Sequence, residues 1–213
     1  MGREFIAMFD EWADYYDHTV NGEDIEYKEV FTNYEVILSE VTKRTGDVVL
    51  EFGCGTGNLT QKLIDAKKEV YSIEPSAMMR KKAKDKLGDK VRIDDGDFLK
   101  FPIPKKKVDT IVSTYAFHHL TDIEKEKAIS IYGSLLESGG KIVFADTAFI
   151  DQQAKNEMIK QAMKKQFIRL AKDLQTEYYT THSVLKKMFE KNQFHVTFTR
   201  MNSFVWLIEA VKQ

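Results

Sequence analysis

A short apolar run that ends in three glycines at alternate positions constrains this chain more than any other feature: Val48-Val49-Leu50-Glu51-Phe52-Gly53-Cys54-Gly55-Thr56-Gly57-Asn58. The β-branched and aromatic residues up to Phe52 predict a buried strand. The glycines permit a tight turn and let a ligand touch the backbone. The apolar spacing from Leu59 to Ala66 predicts a helix directly after them. The first turn of such a helix presents unpaired N–H groups and a partial positive charge. A strand, a glycine loop and a helix in this order suit a nucleotide-like ligand or a carboxylate at the strand's C-terminal edge.

The alternation continues downstream. Val70–Ile73, Val91–Ile93, Val108–Thr114 and Lys141–Ala145 read as strands. Ser76 is placed to cap a Lys-rich helix that Gly88 closes, and Thr121 begins a helix running to Leu136. Short, nearly continuous apolar strands between helices predict a parallel sheet covered on both faces. Residues 151–177 interrupt the pattern with Ala154, Met158, Ala162, Leu170 and Leu174 on one helical face. Ser183 then caps a helix to about Lys191, and His195–Met201 and Phe204–Val211 form an antiparallel hairpin around Asn202-Ser203. The first 45 residues read as helical, with Ile25, Val30, Phe31, Tyr34, Ile37, Leu38 and Val41 at helical spacing.

Composition counts against several function classes. Lys+Arg is 32 against Asp+Glu 33, a net charge of −1, so no basic excess exists to hold a nucleic acid. One cysteine among 213 residues excludes an intrachain disulfide and a Cys-rich metal site. No apolar run reaches the ~18 residues of a membrane span, and the N-terminus lacks a signal-peptide layout. The expectation is a cytoplasmic protein with no membrane and no nucleic-acid partner; oligomeric state is not readable.

The glycine spacing narrows the ligand. The dinucleotide fingerprint is G-x-G-x-x-G/A, but here the third glycine arrives one residue early and Asn58 takes the last place. No G-K-[ST] follows, which excludes a P-loop. Glu74, after the second strand and 21 positions beyond Gly53, can accept hydrogen bonds from both hydroxyls of a ribose. It supports an adenosine ligand without choosing between cofactors.

The stretch E-F-G-C-G-T-G, with Glu51 two residues before the first glycine, resembles motif I of the class I S-adenosylmethionine (SAM)-dependent methyltransferases. Gly96-Asp97-Phe98, Val108–Ser113 and Leu135–Val143 resemble the family's segments after its third strand, at its fourth strand and before its fifth. Phe9, Asp10, Ala13, Tyr16 and Asp17 fit the F-D-x-x-A-x-x-Y-D of small-molecule methyltransferases, and the full combination resembles the bacterial YrrT-type group.

The resemblance implies a Rossmann-like α/β fold: a seven-stranded, mostly parallel sheet with an antiparallel C-terminal hairpin and helices on both faces. It implies one domain over 1–213, divided into a helical cover (1–45), a SAM-binding core (47–146), a lid-like helical insertion (151–181) and a C-terminal helix and hairpin (183–213). The expected reaction transfers methyl from SAM to a small molecule, leaving S-adenosylhomocysteine. Expected cofactor contacts are Gly53 and Gly55 in the loop, Glu74 at the ribose, and Asp97 and Phe98 at the adenine. The alternatives are a non-catalytic SAM-binding regulatory module and a nucleic-acid methyltransferase. Against the latter, Ser113-Thr114-Tyr115-Ala116 stands where an amino methylase carries N/D-P-P-Y.

Several residues keep two readings. Tyr16 either covers the cofactor's methionine end or packs its helix. Glu51 either reaches that end through water or caps loop N–H groups. Cys54 packs in the loop rather than acting as a nucleophile. His118 and His119 lie where an acceptor approaches, so either could orient or deprotonate it; otherwise they cap and pack. No metal is expected, because neighbours on a strand end point to opposite sides. No catalytic residue is assigned.

Overall fold

In the computed structural model, which describes residues 3–213, five parallel strands are built outward from the strand that precedes the glycines. β1 (Val48–Phe52) lies between β2 (Glu69–Ile73) and β4 (Thr110–Thr114). β3 (Ile93–Asp94) extends one side and β5 (Lys141–Thr147) the other. β6 (Phe194–Arg200) and β7 (Val205–Lys212) form the antiparallel hairpin, and β7 enters between β5 and β6. The order is β3-β2-β1-β4-β5-β7-β6, a seven-stranded, mostly parallel sheet.

Side chains alternate across a strand, so each strand serves two cores. Leu50, Phe52, Ile111, Ile142 and Phe144 pack with Tyr132 of α6 (Asp122–Leu135) and Phe189 of α9 (His182–Lys191). Val49, Val112, Val143 and Ala145 pack with Ile37 of α3 (Tyr34–Lys43), Leu63 of α4 (Asn58–Asp65) and Leu174 of α8 (Ile168–Thr176). Each fully buried Val, Leu, Ile or Phe among them stabilises the fold by roughly 1.5–3 kcal/mol.

Local chemistry sets the helix starts. Ser76 Oγ accepts the Met79 amide at 3.1 Å and opens α5 (Ala77–Leu87). Thr121 and Glu124 exchange side-chain and backbone bonds in a capping box at the head of α6. Asp151 Oδ1 accepts from Ala154 N at 2.8 Å and opens α7 (Gln152–Lys164). α9 begins one residue before Ser183, with Thr181 at its N-cap position.

The N-terminal 45 residues depart from continuous helix. α1 (Ile6–Trp12) and α2 (Tyr16–Val20) are short, and turns occupy 24–33 before α3. Asp24 Oδ1 accepts from Glu26 N, and Gly22 and Asn33 adopt left-handed φ of 85° and 65°. These polar side-chain bonds compete with helix, and Ile25 is left 71% exposed. β3 begins at Ile93 rather than Val91, and β4 at Thr110 rather than Val108. No helix of the described residues is long and apolar enough to cross a membrane.

Candidate active site

Between β1 and β4 the sheet's strand order reverses, and in such sheets ligands sit outside the C-terminal strand ends at that point. A narrow cavity of about 70 Å³ lies there. Gly53, Gly55, Glu74, Asp97 and Phe98 all line it, together with Phe9, Tyr16, Met79, Tyr115 and His119. The five residues expected to hold a cofactor, drawn from three strand ends, therefore converge on one space.

Gly53 and Gly55 adopt φ of 65° and 55°, a region side chains rarely enter. A Cβ on Gly53 would stand 2.8 Å from the Ala116 Cβ, while one on Gly55 would enter open space. The third glycine serves packing instead: a Cβ on Gly57, at the head of α4, would stand 2.8 Å from Leu87 Cδ1.

Glu74 is 5% exposed. Its Oε2 accepts the Gly55 amide at 2.9 Å and its Oε1 the Ser76 amide at 2.8 Å. Burial pushes this carboxyl up to about 7 despite those bonds and nearby Arg80. A carboxylate has about four acceptor positions, so two amides leave capacity for hydroxyls. Asp97 Oδ1 accepts from Leu99 N and Lys100 N, each at 2.9 Å, which shapes the turn after β3. Phe98 stacks on Phe52 with ring centroids 5.4 Å apart.

Glu51 binds side-chain hydroxyls rather than the loop's N–H groups. Its Oε2 accepts from Thr60 Oγ1 at 2.6 Å and Ser72 Oγ at 2.9 Å, tying β1 to α4 and β2. Cys54 is buried, and burial pushes its thiol up, away from the nucleophilic thiolate. The two aspartates of the N-terminal motif act as anchors. Asp10 Oδ1 accepts from Ser76 Oγ at 2.5 Å and Met78 N at 3.2 Å at the head of α5. Asp17 accepts from Thr56 Oγ1 at 2.6 Å, Asn58 Nδ2 at 3.1 Å and Lys86 Nζ at 2.8 Å. These bonds draw Phe9 and Tyr16 over the cavity.

A second cavity of about 390 Å³ adjoins the first, sharing Phe9, Tyr16, Tyr115 and His119 as walls. Its far side is built by Arg169, Lys172 and Asp173 of α8 and by Glu177 and Tyr179 beyond it. His118 and His119 do not diverge as neighbours on a strand end would. They sit on a 3-10 turn, Phe117–His119, with ring centroids 4.1 Å apart. Asp146 at the end of β5 accepts the His118 amide at 3.0 Å and pairs with His118 Nδ1 at 2.5 Å. Glu177 Oε2 lies 3.3 Å from His118 Nε2 and accepts from Tyr179 Oη at 2.5 Å.

Burial alone would push His118 down, but Asp146 and then Glu177 outweigh it and hold it up at about 10. Burial and the neighbouring His118 cation push His119 down to about 3. Sequence reasoning missed Asp146 and Glu177. Asp146 left a faint signal, a carboxylate closing an otherwise apolar strand; Glu177 left none. Tyr115 was also missed. It holds φ 54° at the bend after β4, and its buried hydroxyl has no hydrogen-bond partner.

A glycine loop after β1, acidic residues after β2 and β3, and a reversed seventh strand make up the architecture of class I methyltransferases. A methyltransferase-domain family model matches residues 49–140. An uncharacterized methyltransferase of Geobacillus sp. (strain WCH70) is 63% identical over 213 residues, the full length of both chains. Another, of Anoxybacillus flavithermus, is 62% identical over the same span, again all of both chains. Among solved structures, magnesium protoporphyrin IX methyltransferase of Synechocystis with bound S-adenosylhomocysteine superimposes at TM-score 0.71 and 19% identity, covering 99% of this chain and 98% of that one. A SAM-dependent methyltransferase of Thermotoga maritima does so at TM-score 0.70 and 15% identity, covering 98% and 99%. The chain belongs to this methyltransferase family and is a class I SAM-dependent methyltransferase.

Proposed function

We propose that this methyltransferase transfers the SAM methyl group to a small-molecule acceptor held in the cavity between the N-terminal cover and α8. One observation carries the reading: the cavity reached from Gly53, Gly55 and Glu74 continues past Tyr16 and His119 into a space walled by side chains from both sides. A walled space of about 390 Å³ suits a compact metabolite rather than a polymer. The net charge of −1 agrees, since a nucleic-acid substrate calls for a basic surface. The setting in this reading is the cytoplasm.

In this reading Glu74 accepts from the ribose hydroxyls. The Gly53–Gly55 backbone lets the cofactor approach closely, Asp97 accepts from the adenine amino group, and Phe98 walls the ring. Bound SAM supplies a methyl group already activated by its sulfonium. The chain's task is to hold the acceptor's nucleophile in line and keep water out, which accounts for ~7–11 kcal/mol of barrier lowering in well-oriented systems. Tyr16 and Tyr115 stand at the junction of the two cavities, where the reacting atoms meet. The 151–181 insertion closes the acceptor side, held through Lys125, whose ammonium donates to the Leu120 and Tyr178 carbonyls.

The narrow cavity of about 70 Å³ is smaller than the ~300 Å³ or more of ligand pockets. The N-terminal cover therefore yields when a nucleoside enters. α1 suits this, because it buries none of its residues fully.

The test is a screen for S-adenosylhomocysteine release with a metabolite library. Turnover of a small metabolite supports the reading. Methylation of nucleic acid or protein alone overturns the acceptor class, and SAM binding without any transfer favours the regulatory alternative.

A further inference from the structure

We infer that His118, His119 and Glu177 form a divalent-metal site at the floor of the acceptor cavity, with Asp146 holding His118 in the ligating tautomer. Among the described residues, one donor atom from each of the three lies within 4.8 Å of the others. All three side chains are at least nine-tenths buried and line the second cavity.

The spacing fits. A tetrahedral zinc ion with ligands at about 2.0–2.1 Å has ligand–ligand edges of about 3.3–3.4 Å. His118 Nε2 and Glu177 Oε2 are 3.3 Å apart. His119 Nδ1 is buried with no hydrogen-bond partner and lies 4.0 Å from Glu177 Oε1. With one donor atom from each residue within 4.8 Å of the others, side-chain shifts of up to about 1.4 Å would close the remaining edges. An orphaned buried nitrogen costs free energy unless something is bound to it.

The supporting contacts are those of metal sites. Histidine ligands commonly donate their second ring nitrogen to a carboxylate, which fixes the tautomer. His118 Nδ1 has Asp146 at 2.5 Å, so its Nε2 presents a lone pair toward Glu177. Two lone-pair atoms face each other there and require a cation between them. Without a metal that cation is a proton. Tyr179 Oη donates to Glu177 Oε2 and orients the ligating carboxylate. Two imidazoles and one carboxylate, with a fourth position open to the cavity, form a set that zinc accepts.

The use of the site rests on the methyl-transfer reading, although metal binding does not. The open position would take an acceptor carrying an ionisable thiol or hydroxyl. Its proton leaves to water, its lone pair forms the new bond to the methyl carbon, and the C–S electron pair returns to the sulfur. One methyl group and one proton are thus exchanged.

The test uses the full-length chain stripped with a chelator. Co²⁺ is added while visible absorption is followed, and Zn²⁺ is then used to displace it. The expected result is one equivalent per chain, a d–d band of low-coordinate Co²⁺, and a thermal midpoint that rises with Zn²⁺. Glu177→Gln and His119→Asn should each weaken uptake at least tenfold, and Asp146→Asn about 10- to 100-fold. No stoichiometric uptake by the wild-type chain overturns the site, as does uptake that these variants leave unchanged. The wild-type readouts stand even if a variant does not fold. SAM titrated into the same stripped protein separates the two readings: SAM binding without metal uptake sinks the metal site alone, and metal uptake without SAM binding sinks the cofactor reading alone.

Discussion

Glu74 Oε2 accepts the amide hydrogen of Gly55 at 2.9 Å, so the carboxylate beyond β2 is tied to the glycine loop beyond β1. One bond thereby sets both the loop's shape and the direction of the proposed ribose acceptor.

Removing that carboxylate should weaken SAM binding. Hydrogen bonds to a charged group contribute roughly 1.5–3 kcal/mol each, so losing one or two costs ~10- to 1,000-fold in affinity. Calorimetric titration of SAM into Glu74→Ala measures this. An unchanged dissociation constant would remove Glu74 from the site.

SAM affinity should also fall on acidification. Burial first, with Asp10 adding, pushes Glu74 up to about 7 against its two amide bonds and Arg80. Only the ionised form offers its full acceptor capacity. Affinity should therefore drop about tenfold from pH 8 to pH 6, and Glu74→Gln should lose that slope. A wild-type affinity that is flat over this range would contradict the assignment.

Gly55 separates folding from binding. Its φ of 55° strains any side chain, and a Cβ there meets no atom within 4 Å. Gly139 has φ 84° and equally open surroundings, but does not line the cofactor cavity. Gly55→Ala and Gly139→Ala should each destabilise by about 1–2 kcal/mol in denaturant unfolding. Only Gly55→Ala should lose SAM affinity, by at least about tenfold, equivalent to ~1.4 kcal/mol.

The Asp10 anchor should slow SAM entry. It holds α1 to the head of α5 through Ser76 and Met78. Charge-assisted bonds of roughly 1.5–3 kcal/mol resist opening, so Asp10→Ala should speed SAM association about 10-fold or more. Stopped-flow fluorescence of Trp12, on the same helix, reports it. An unchanged association rate would show that SAM enters without moving α1.

Glu51 should make stability depend on pH. Burial pushes its carboxyl from 4.5 up to about 7, against bonds from Thr60 and Ser72. Between those values the folded chain holds a proton that the unfolded chain has released. This group's contribution to stability is therefore intact below about 4.5 and lost as pH rises to about 7. Glu51→Gln keeps an acceptor and removes the titration, so it should exceed wild type above pH 7 by about 1–3 kcal/mol. Urea unfolding at pH 5 and pH 8 checks this; equal slopes in both proteins would refute it.

What the sequence determined by itself was chain-local. Apolar runs bounded by glycine marked β1, and Ser76 and Thr121 marked helix starts, because capping bonds span three residues. The glycine spacing, with Glu74 and Asp97 after the next two strands, indicated one cavity because every parallel strand ends on the same edge of the sheet. Residues 24–33 were misread as helix because apolar spacing does not register an Asp24 side chain competing for backbone amides. The tertiary structure alone decided the His118, His119, Asp146 and Glu177 cluster. Asp146 reaches His118 from the neighbouring strand's end and Glu177 from beyond α8. Their approach depends on how the insertion packs over the sheet, and periodicity within any one segment carries no trace of a contact made between segments.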